Sequence, residues 1–301
     1  MMSYSVGGIA LPNAPIMIGA GVCKSPQTAR KWLDVAPVVS GSYTPLPRGG
    51  NKGNRLFYPD TLDEFLRIGF GLNSFGMPNM NIAGAAGEFS RQNKEMPLIV
   101  NIAGFSIDDY LTGVDLLKYV EGIAAIELNF GCPNTKHGKI PSFDPGSLNL
   151  LFQRLKEFVG QPIWVKFSPY SDPELLKEVA AIVNSTSSAI RAVVTCNTFP
   201  NAYAGKDAIS PMGGLAGLSG PALKPIALGQ VVQFRQHLVA EIDVIGIGGI
   251  TTGNDIIDFL DAGATAVQMT SLPFWLGEPR QFLGTLLDAE TGNRLETFLT
   301  K

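Results

Sequence analysis

Polar side chains are concentrated where short apolar segments of this sequence end. Four successive segments share this feature, and the residues are Asn101, Asn129, Lys166 and Asn197. Each amide side chain offers both a donor and an acceptor, so a group of them suits a small planar ligand such as a pyrimidine-type heterocycle. A single asparagine often only caps a turn, but polar ends on four successive segments favour a binding site.

Cys132 is the candidate nucleophile or base. It lies in NFGCPN, between Gly131 and Pro133, in a turn that can present its side chain. A thiolate is both a nucleophile and a base, and a positive neighbour lowers its pKa from about 8.5. The alternative is a small buried residue in a turn. That alternative is favoured for Cys23 and Cys196, which we expect in the core.

Neither a metal site nor a carboxylate or histidine acid–base pair is expected. No pair of carboxylates follows the apolar segments, and His137 and His237 fall in a predicted loop and late in a predicted helix. The 3 cysteines are widely spaced without a CxxC. This spacing argues against a disulfide framework, an iron–sulfur cluster or a zinc ribbon, and favours a reducing cytoplasm.

Two glycine-rich turns late in the chain indicate a phosphate-bearing cofactor. They are GGLAGLSGP at 213–221 and GIGGI at 246–250, and Thr270 and Ser271 follow one predicted strand later. Loops after the last two strands of an α/β barrel often bind phosphate through backbone N–H groups. Tight barrel turns also need glycine, so the position of these turns carries more weight than their composition.

The elements that position these residues alternate short apolar segments with amphipathic segments of helical length. This alternation predicts a single α/β domain over residues 1–301, a (β/α)8 TIM barrel. The predicted strands are residues 15–20, 37–40, 98–103, 124–130, 163–167, 192–196, 244–247 and 266–270. The predicted helices are residues 26–35, 107–120, 146–159, 173–183, 222–237, 254–260 and 279–287. The C-terminal ends of such strands converge on one opening, which brings the polar residues together.

One long insertion breaks this alternation. Residues 41–96 are rich in Gly, Asn and Arg, follow the second predicted strand, and show no clear helix before residues 61–65. Long loops in compact domains are usually functional or disordered. We expect this one to cover the C-terminal mouth of the barrel.

Charge and hydropathy exclude several classes of partner. The 301 residues include 23 Lys and Arg against 26 Asp and Glu, a formal net charge of -3. Nucleic acid and anionic membrane surfaces are therefore not expected as partners. The first residues lack a basic n-region, and no apolar run approaches the roughly 18 residues of a spanning helix. A cytoplasmic protein is expected.

Several motifs in register resemble those of the FMN-dependent dihydroorotate dehydrogenases of the class with a catalytic cysteine. The similarity runs from about residue 8 to 285. The matching stretches are GLNSFGMPN (71–79), IELNFGCPN (126–134), VKFSPY (165–170), TCNT (195–198), AGLSGPALKPIAL (216–228) and VIGIGGITTGNDIIDFLDAGATAVQMTS (244–271). The resemblance implies a single barrel with FMN at its mouth that oxidises dihydroorotate to orotate in pyrimidine biosynthesis.

The resemblance also implies roles for individual residues. Cys132 is the expected base, removing a proton from C5 while a hydride leaves C6 for flavin N5. The expected substrate-binding residues are Asn73, Asn129, Asn134, Asn197 and Thr198, with the backbone N–H groups of Phe75, Gly76 and Met77. Lys166 is expected beside the flavin N1/O2 edge, where it stabilises the reduced anionic flavin. The other expected FMN-binding residues are Ala20, Gly21, Asn101, Asn129, Ser219, Gly220, Gly248, Gly249, Thr270 and Ser271.

Gly41 departs from the family pattern, which has a lysine in a TKS-type motif after the second strand. Losing a cation beside an anionic substrate costs about 1.5–3 kcal/mol, the range for charge-assisted hydrogen bonds. Lys24, Arg48 and Lys52 are the candidate replacements. The alternative is a related flavin enzyme that acts on another dihydropyrimidine or an enone.

Other functions stay open from the sequence alone. A flavin-free, phosphate-binding aldolase or isomerase would use Lys166 as a Schiff-base nucleophile. A non-catalytic binding barrel would leave Cys132 and Lys166 without a purpose, and net charge -3 disfavours a flavin enzyme acting on transfer RNA. The electron acceptor is expected to be a soluble oxidant such as fumarate or a separate electron-transfer subunit. By resemblance, the protein is a homodimer.

Overall fold

A computed structural model describes residues 3–12, 14–90, 96–131 and 140–279, together with residues 282 and 286. The strands are β1 (Ser3–Val6), β2 (Ile9–Pro12), β3 (Ile16–Ile18), β4 (Val38–Tyr43), β5 (Leu56–Phe57), β6 (Gly71–Asn73), β7 (Leu98–Ile102), β8 (Ala125–Asn129), β9 (Ile163–Lys166), β10 (Ile190–Val194), β11 (Phe199–Tyr203), β12 (Leu215–Ser219), β13 (Asp243–Ile247) and β14 (Ala266–Met269).

The helices lie between the strands. They are α1 (Pro26–Trp32), α2 (Leu62–Ile68), α3 (Ile82–Phe89), α4 (Ile107–Leu117), α5 (Pro145–Leu155), α6 (Pro173–Asn184), α7 (Lys224–His237), α8 (Gly253–Asp261) and α9 (Ser271–Leu276). Short 3-10 turns occupy Pro141–Phe143, Pro211–Gly214 and Pro221–Leu223. The predicted helix at 279–287 lies mostly outside the described residues.

Eight parallel strands close into a barrel, which confirms the predicted fold class. Their order around the barrel is β10, β13, β14, β3, β4, β7, β8 and β9. Each predicted strand overlaps one of them, although β4 continues to Tyr43, beyond the predicted end at residue 40. The strands are apolar and buried on both faces, as parallel strands covered by helices must be.

The barrel interior is filled in two layers of different chemistry. The lower layer is apolar and includes the fully buried Met17, Ile99 and Trp164. The hairpin of β1 and β2 covers this end, and the Trp164 indole N–H donates to the Gly7 carbonyl at 2.9 Å. Polar side chains form the layer toward the C-terminal mouth, so chemistry is confined to that end.

Helix N-termini are fixed by the residues that precede them. Ser25 caps α1 and Ser106 caps α4, each accepting a hydrogen bond from a backbone N–H of the first turn. At α8 the caps are reciprocal, because Thr252 and Asp255 form a capping box. Such caps typically contribute about 1 kcal/mol each and set where the loops at the barrel mouth end.

A four-stranded antiparallel sheet covers the barrel mouth, and we call it the lid sheet. Its strand order is β11, β12, β6 and β5. Strands β5 and β6 come from the insertion that the sequence predicts to cover the mouth, although no strand is predicted in it. Strands β11 and β12 come from the segment after the sixth barrel strand. The turn predicted at 213–221 is therefore largely strand β12, and Leu72, Ile209 and Ala216 form a small core under the sheet.

The extent of the domain stays a prediction, because the described residues do not include 287–301. Within the part of the chain that is described, no helix is both long enough and apolar enough to cross a membrane.

Candidate active site

A cavity of about 260 Å³ lies between the barrel mouth and the lid sheet. A single water needs about 10–15 Å³ on this measure, so the cavity holds a ligand of many atoms. Its walls come from the C-terminal ends of the barrel strands and from strands β5, β6 and β12 of the lid.

The buried carboxylate of Glu127 organises the floor of this cavity. Its Oε1 accepts a hydrogen bond from Asn101 Nδ2 and its Oε2 accepts one from Gln268 Nε2, both at 2.6 Å. Lys166 Nζ lies 3.9 Å from Glu127 Oε1. Burial lowers the pKa of Lys166, and the Glu127 carboxylate partly offsets that effect. The floor therefore holds an amine whose counter-charge is built into the barrel.

The floor also contains a buried amide acceptor. Gln268 lines the cavity, and its Oε1 is fully buried without a hydrogen-bond partner among the described residues. An unpaired buried acceptor costs about 1–3 kcal/mol. A ligand N–H group at this position would remove that cost.

Three polar side chains form a connected network on one wall. Asn129 Nδ2 donates to Ser42 Oγ at 2.9 Å, and Asn197 Nδ2 donates to Asn129 Oδ1 at 2.9 Å. The Thr198 N–H donates to Asn197 Oδ1 at 2.8 Å, which fixes the second amide. The two amides that the sequence predicts to converge therefore touch each other at the cavity.

The loop after β6 forms the opposite wall. The carbonyl of Ser74 accepts from Asn51 Nδ2 at 2.9 Å, and the carbonyl of Gly76 accepts from Arg48 Nε at 3.2 Å. Gly76 and Met77 both have positive φ, at 71° and 54°. This tight turn places four predicted residues on the cavity wall, namely Asn73, Phe75, Gly76 and Met77.

The rim of the cavity brings Gly41 and Lys24 together. The Gly41 N–H donates to the Cys23 carbonyl at 2.8 Å, so the residue after Cys23 stands next to Gly41. Lys24 lines the cavity, and its Nζ lies 3.3 Å from the centroid of the Phe75 ring. Burial, followed by the charge of Arg55, lowers the pKa of Lys24 to about 8.

The other two candidate replacements for the family lysine lie elsewhere. Lys52 is exposed to solvent. Arg48 is held by the Gly76 carbonyl and lies over the ring of Phe105, with 4.8 Å from Cζ to the ring centroid. Neither residue lines the cavity, whereas Lys24 does.

The glycines of the late turns are required by packing of the chain on itself. Gly249 has a φ of +74°, and a Cβ there would lie 2.6 Å from the Lys224 backbone nitrogen. A Cβ on Gly220 would lie 2.9 Å from the Phe65 ring. Both glycines line the cavity, so this close packing places their backbone atoms on the cavity wall.

Hydroxyl groups gather at the same end. Tyr58 and Ser219 share a hydrogen bond of 2.8 Å, and Tyr58 also donates to Ser271 Oγ at 3.5 Å. Thr270 lines the cavity beside them. Tyr58 was missed from the sequence, because it lies in the insertion, far along the chain from the serines that it contacts.

The described cysteines are poor candidates for a thiolate. Burial raises the pKa of Cys23 to about 12, and burial raises that of Cys196 to about 12 despite the nearby Lys166. Cys196 nevertheless lines the cavity. Cys132 and Asn134 lie outside the described residues, but the cavity wall includes Gly131, which immediately precedes Cys132.

Most of the predicted site residues that the structure describes lie on the wall of this one cavity. These are Ala20, Gly21, Asn73, Phe75, Gly76, Met77, Asn129, Lys166, Asn197, Thr198, Ser219, Gly220, Gly248, Gly249, Thr270 and Ser271. Asn101 is buried in the floor, bound to Glu127. Glu127 itself was missed, although a single charged residue inside the apolar strand AIELN is a usable signal. The roles of these residues stay predictions.

Comparison with known proteins assigns the chain to a family. The sequence model described as dihydroorotate dehydrogenase matches residues 1–279. The chain belongs to the dihydroorotate dehydrogenase family. It is therefore a flavin-dependent oxidoreductase that acts on a CH–CH bond, and FMN is its cofactor. Membership in the family argues against the flavin-free aldolase or isomerase.

Curated members of the dihydroorotate dehydrogenase family share about a third of their residues with this chain. Dihydroorotate dehydrogenase A (fumarate) of Limosilactobacillus reuteri is 34% identical over 290 residues, covering 91% of this chain and 87% of the relative. The catalytic subunit of dihydroorotate dehydrogenase B (NAD(+)) of Listeria welshimeri is 32% identical over 287 residues, covering 91% and 88%.

A solved structure supports the fold. The crystal structure of DHODH from Eimeria tenella in complex with ferulenol has a TM-score of 0.75 with this chain, at 19% identity, covering 99% of this chain and 83% of the other. At this identity the match shows a shared barrel fold and no more.

The cavity fits FMN on its own observations. The unpaired Gln268 Oε1 suits a ring N–H of the flavin, and the buried amine of Lys166 suits a ring edge that becomes negative on reduction. At the other end, backbone at Gly248 and Gly249 and the hydroxyl of Thr270 suit a phosphate. These donors and acceptors lie in one continuous cavity.

Proposed function

We propose that this protein oxidises dihydroorotate to orotate in pyrimidine biosynthesis. The linked amides of Asn129 and Asn197, 2.9 Å apart on the wall of a cavity suited to FMN, carry the proposal. Paired amides match the alternating donors and acceptors of a dihydropyrimidine ring. The names of the fumarate-type and NAD-type relatives support the same substrate.

The walls bind and orient this substrate. Asn73, Asn129 and Asn197 hydrogen-bond the pyrimidine ring, with Asn134 from the segment outside the described residues. Thr198 and the backbone N–H groups of Phe75, Gly76 and Met77 complete the site. Holding the ring between two walls that are each fixed by hydrogen bonds orients C5 and C6 before reaction.

Cys132 removes the proton from C5. Residue 131 lies on the cavity wall, and the two described cysteines have raised pKa values that disfavour their thiolates. The hydride that leaves C6, as the C5–C6 double bond forms, needs an acceptor, and this is the chemistry that bound FMN would supply. Lys166 stabilises the negative charge that collects on this side of the cavity.

Other residues hold the cofactor. Lys166 and Asn101 stand at or below the floor, Asn129 lies on the wall, and the remaining contacts line the cavity elsewhere. Those contacts are Ala20, Gly21, Ser219, Gly220, Gly248, Gly249, Thr270 and Ser271.

Anaerobic addition of dihydroorotate to the purified yellow protein tests the substrate. We expect the flavin absorbance band to bleach in proportion to the dihydroorotate added. A neutral dihydropyrimidine is the control and should bleach it much more slowly. Bleaching by the neutral compound alone would replace this function by the related enzyme that acts on another dihydropyrimidine or an enone.

Replacement of Cys132 by serine tests the base. We expect Cys132→Ser to slow flavin reduction at pH 7 by at least about 100-fold, the lower end for loss of a general base, and by less at high pH. Stopped-flow absorbance gives the rate, and Cys196→Ser is the matched control. An unchanged rate in Cys132→Ser would remove Cys132 from the mechanism.

Electrons then leave to a soluble acceptor such as fumarate or to a separate electron-transfer subunit. If fumarate is the acceptor, mixing the reduced protein with fumarate should restore the yellow colour of the oxidised flavin.

We also propose that the protein is a cytoplasmic homodimer of single-domain subunits. Analytical ultracentrifugation tests the dimer by measuring its mass.

A further inference from the structure

The rim of the cavity has no room for a side chain at Gly41 of strand β4. Gly41 has a φ of +130°, and a Cβ there would lie 2.4 Å from the backbone carbonyl oxygen of Asn101. Any side chain at this position would collide with β7 before it reached the cavity. A positive charge at this rim must therefore come from a residue other than Gly41.

Lys24 stands at that rim on the neighbouring loop. The Cys23 carbonyl accepts hydrogen bonds from the Gly41 N–H at 2.8 Å and from Ser40 Oγ at 3.1 Å, which ties the loop after β3 to β4. The next residue, Lys24, extends its Nζ over the Phe75 ring at 3.3 Å from the centroid. Phe75 belongs to the wall whose backbone N–H groups are proposed to bind the substrate.

Lys24 lacks an anionic partner among the described residues. No described carboxylate lies within 4.0 Å of its Nζ, and the charge that shifts its pKa is the like charge of Arg55. Burial and that like charge lower the pKa of Lys24 to about 8, so at pH 7 most of the amine is still protonated. A half-buried cation in this position binds an anion more tightly than an exposed one.

The second cavity lysine is already committed. Lys166 Nζ lies 3.9 Å from Glu127 in the floor, so its charge is balanced within the barrel. Among the described residues, the two lysines therefore divide the cavity into a neutralised floor and a rim whose positive charge has no carboxylate beside it. An anionic group of the ligand belongs at the rim.

We propose that Lys24 binds the carboxylate of the substrate and so selects an anionic dihydropyrimidine over a neutral one. This inference rests on the proposed function. The carboxylate lies between the Lys24 amine and the backbone N–H groups of residues 75–77, and Lys24 acts as a specificity-determining residue, not as a base.

Binding of the product orotate to the oxidised, FMN-loaded protein tests this inference without turnover. Isothermal titration calorimetry gives the dissociation constants of orotate and of its neutral methyl ester. We expect Lys24→Met to weaken orotate binding about 10- to 100-fold, the equivalent of one charge-assisted hydrogen bond, and to change binding of the ester less than about twofold. Lys24→Arg should recover part of the loss.

Lys52→Met is the matched control, because it removes an exposed lysine of the same charge that does not line the cavity. It should leave both dissociation constants unchanged. The FMN content of each variant, read from its absorbance, verifies that the cavity is intact.

The outcomes separate the two proposals. If the wild-type protein binds orotate and Lys24→Met binds it equally well, Lys24 is not the anchor and the proposed function stands. If Lys24→Met weakens the binding of orotate and of the ester by the same factor, Lys24 contributes packing and not charge, and the inference is overturned. If the wild-type protein neither binds orotate nor is reduced by dihydroorotate, the proposed function fails and this inference fails with it.

Discussion

The floor and the rim of the cavity each contain a lysine, and the two lysines stand in opposite electrostatic settings. On the floor, Lys166 is buried beside Glu127, whose carboxylate is also held by two amides. On the rim, Lys24 lies over Phe75, and among the described residues the charge that shifts its pKa is the like charge of Arg55. The lysine of the floor has a carboxylate beside it, and the lysine of the rim has none among the described residues.

This difference shows which part of the cavity is built for stability and which for recognition. A buried ion pair is costly to break, because removing one partner leaves the other charged and desolvated. A half-buried cation without a partner costs some stability and is relieved by an anionic ligand. The comparison therefore predicts opposite effects of the same substitution at the two lysines.

The largest effect is expected on the floor. Lys166→Met leaves the Glu127 carboxylate buried with only neutral donors, so we expect the free energy of unfolding to fall by about 3–5 kcal/mol. Urea denaturation measures this free energy of unfolding. The matched control is Lys177→Met, which breaks an exposed pair with Glu174 and should change stability by less than about 0.5 kcal/mol. Equal effects in the two variants would show that the floor is not a closed ion pair.

An intermediate effect is expected where the rim meets the floor. Gly41→Ala puts a Cβ 2.4 Å from the Asn101 carbonyl oxygen at a φ of +130°. We expect it to lower the free energy of unfolding by about 2–3 kcal/mol, within the range for a residue held in a sparsely populated backbone region.

Gly87→Ala is the control for that substitution. Gly87 lies within α3 with nothing within 4 Å of its Cβ position, so alanine there should be neutral or stabilising by up to about 1 kcal/mol. If Gly41→Ala were as stable as Gly87→Ala, strand β4 would have room for a side chain. A side chain at position 41 could then supply the rim cation, and Lys24 would not be needed for it.

The barrel could be predicted from the sequence because its signals are local. Each barrel strand is a short apolar run, and most of them are followed by a segment of helical length, so type and order follow without knowledge of the contacts. The lid sheet carries no such signal. Strand β6 has three residues, and it is held in place by β12, which lies more than 140 residues further along the chain.

The residues of the candidate site also divide into those that local sequence signals predict and those that depend on distant contacts. Convergence of Asn129 and Asn197 follows from parallel strands whose C-terminal ends meet at one opening, so the sequence predicts it. The choice among Lys24, Arg48 and Lys52 depends on where loops lie relative to β4. The hydrogen bond from Gly41 to Cys23 places Lys24 beside Gly41, and no sequence pattern encodes that contact.

The smallest effect is expected from the charge of Lys24 itself, in the holoenzyme without substrate. Its pKa of about 8 in the folded protein lies below the ordinary value of 10.5. Between these pH values the unfolded chain binds more protons than the folded one, so this group makes stability rise as pH increases from 8 to 10.5. Below pH 8 its desolvated charge destabilises the fold by its full amount.

Lys24→Met removes the pH dependence of stability that Lys24 causes, so comparison of the variant with the wild-type protein measures that contribution. At pH 7 we expect the variant to be more stable than the wild-type protein by about 1 kcal/mol, a value discounted for the partial exposure of the side chain. The advantage should shrink toward zero by about pH 10, where the wild-type amine is neutral in the folded protein. Urea denaturation of both proteins at pH 7 and pH 10 measures the difference. If the difference were the same at both pH values, the rim amine would be as well solvated as an exposed lysine, and the contrast between rim and floor would not hold.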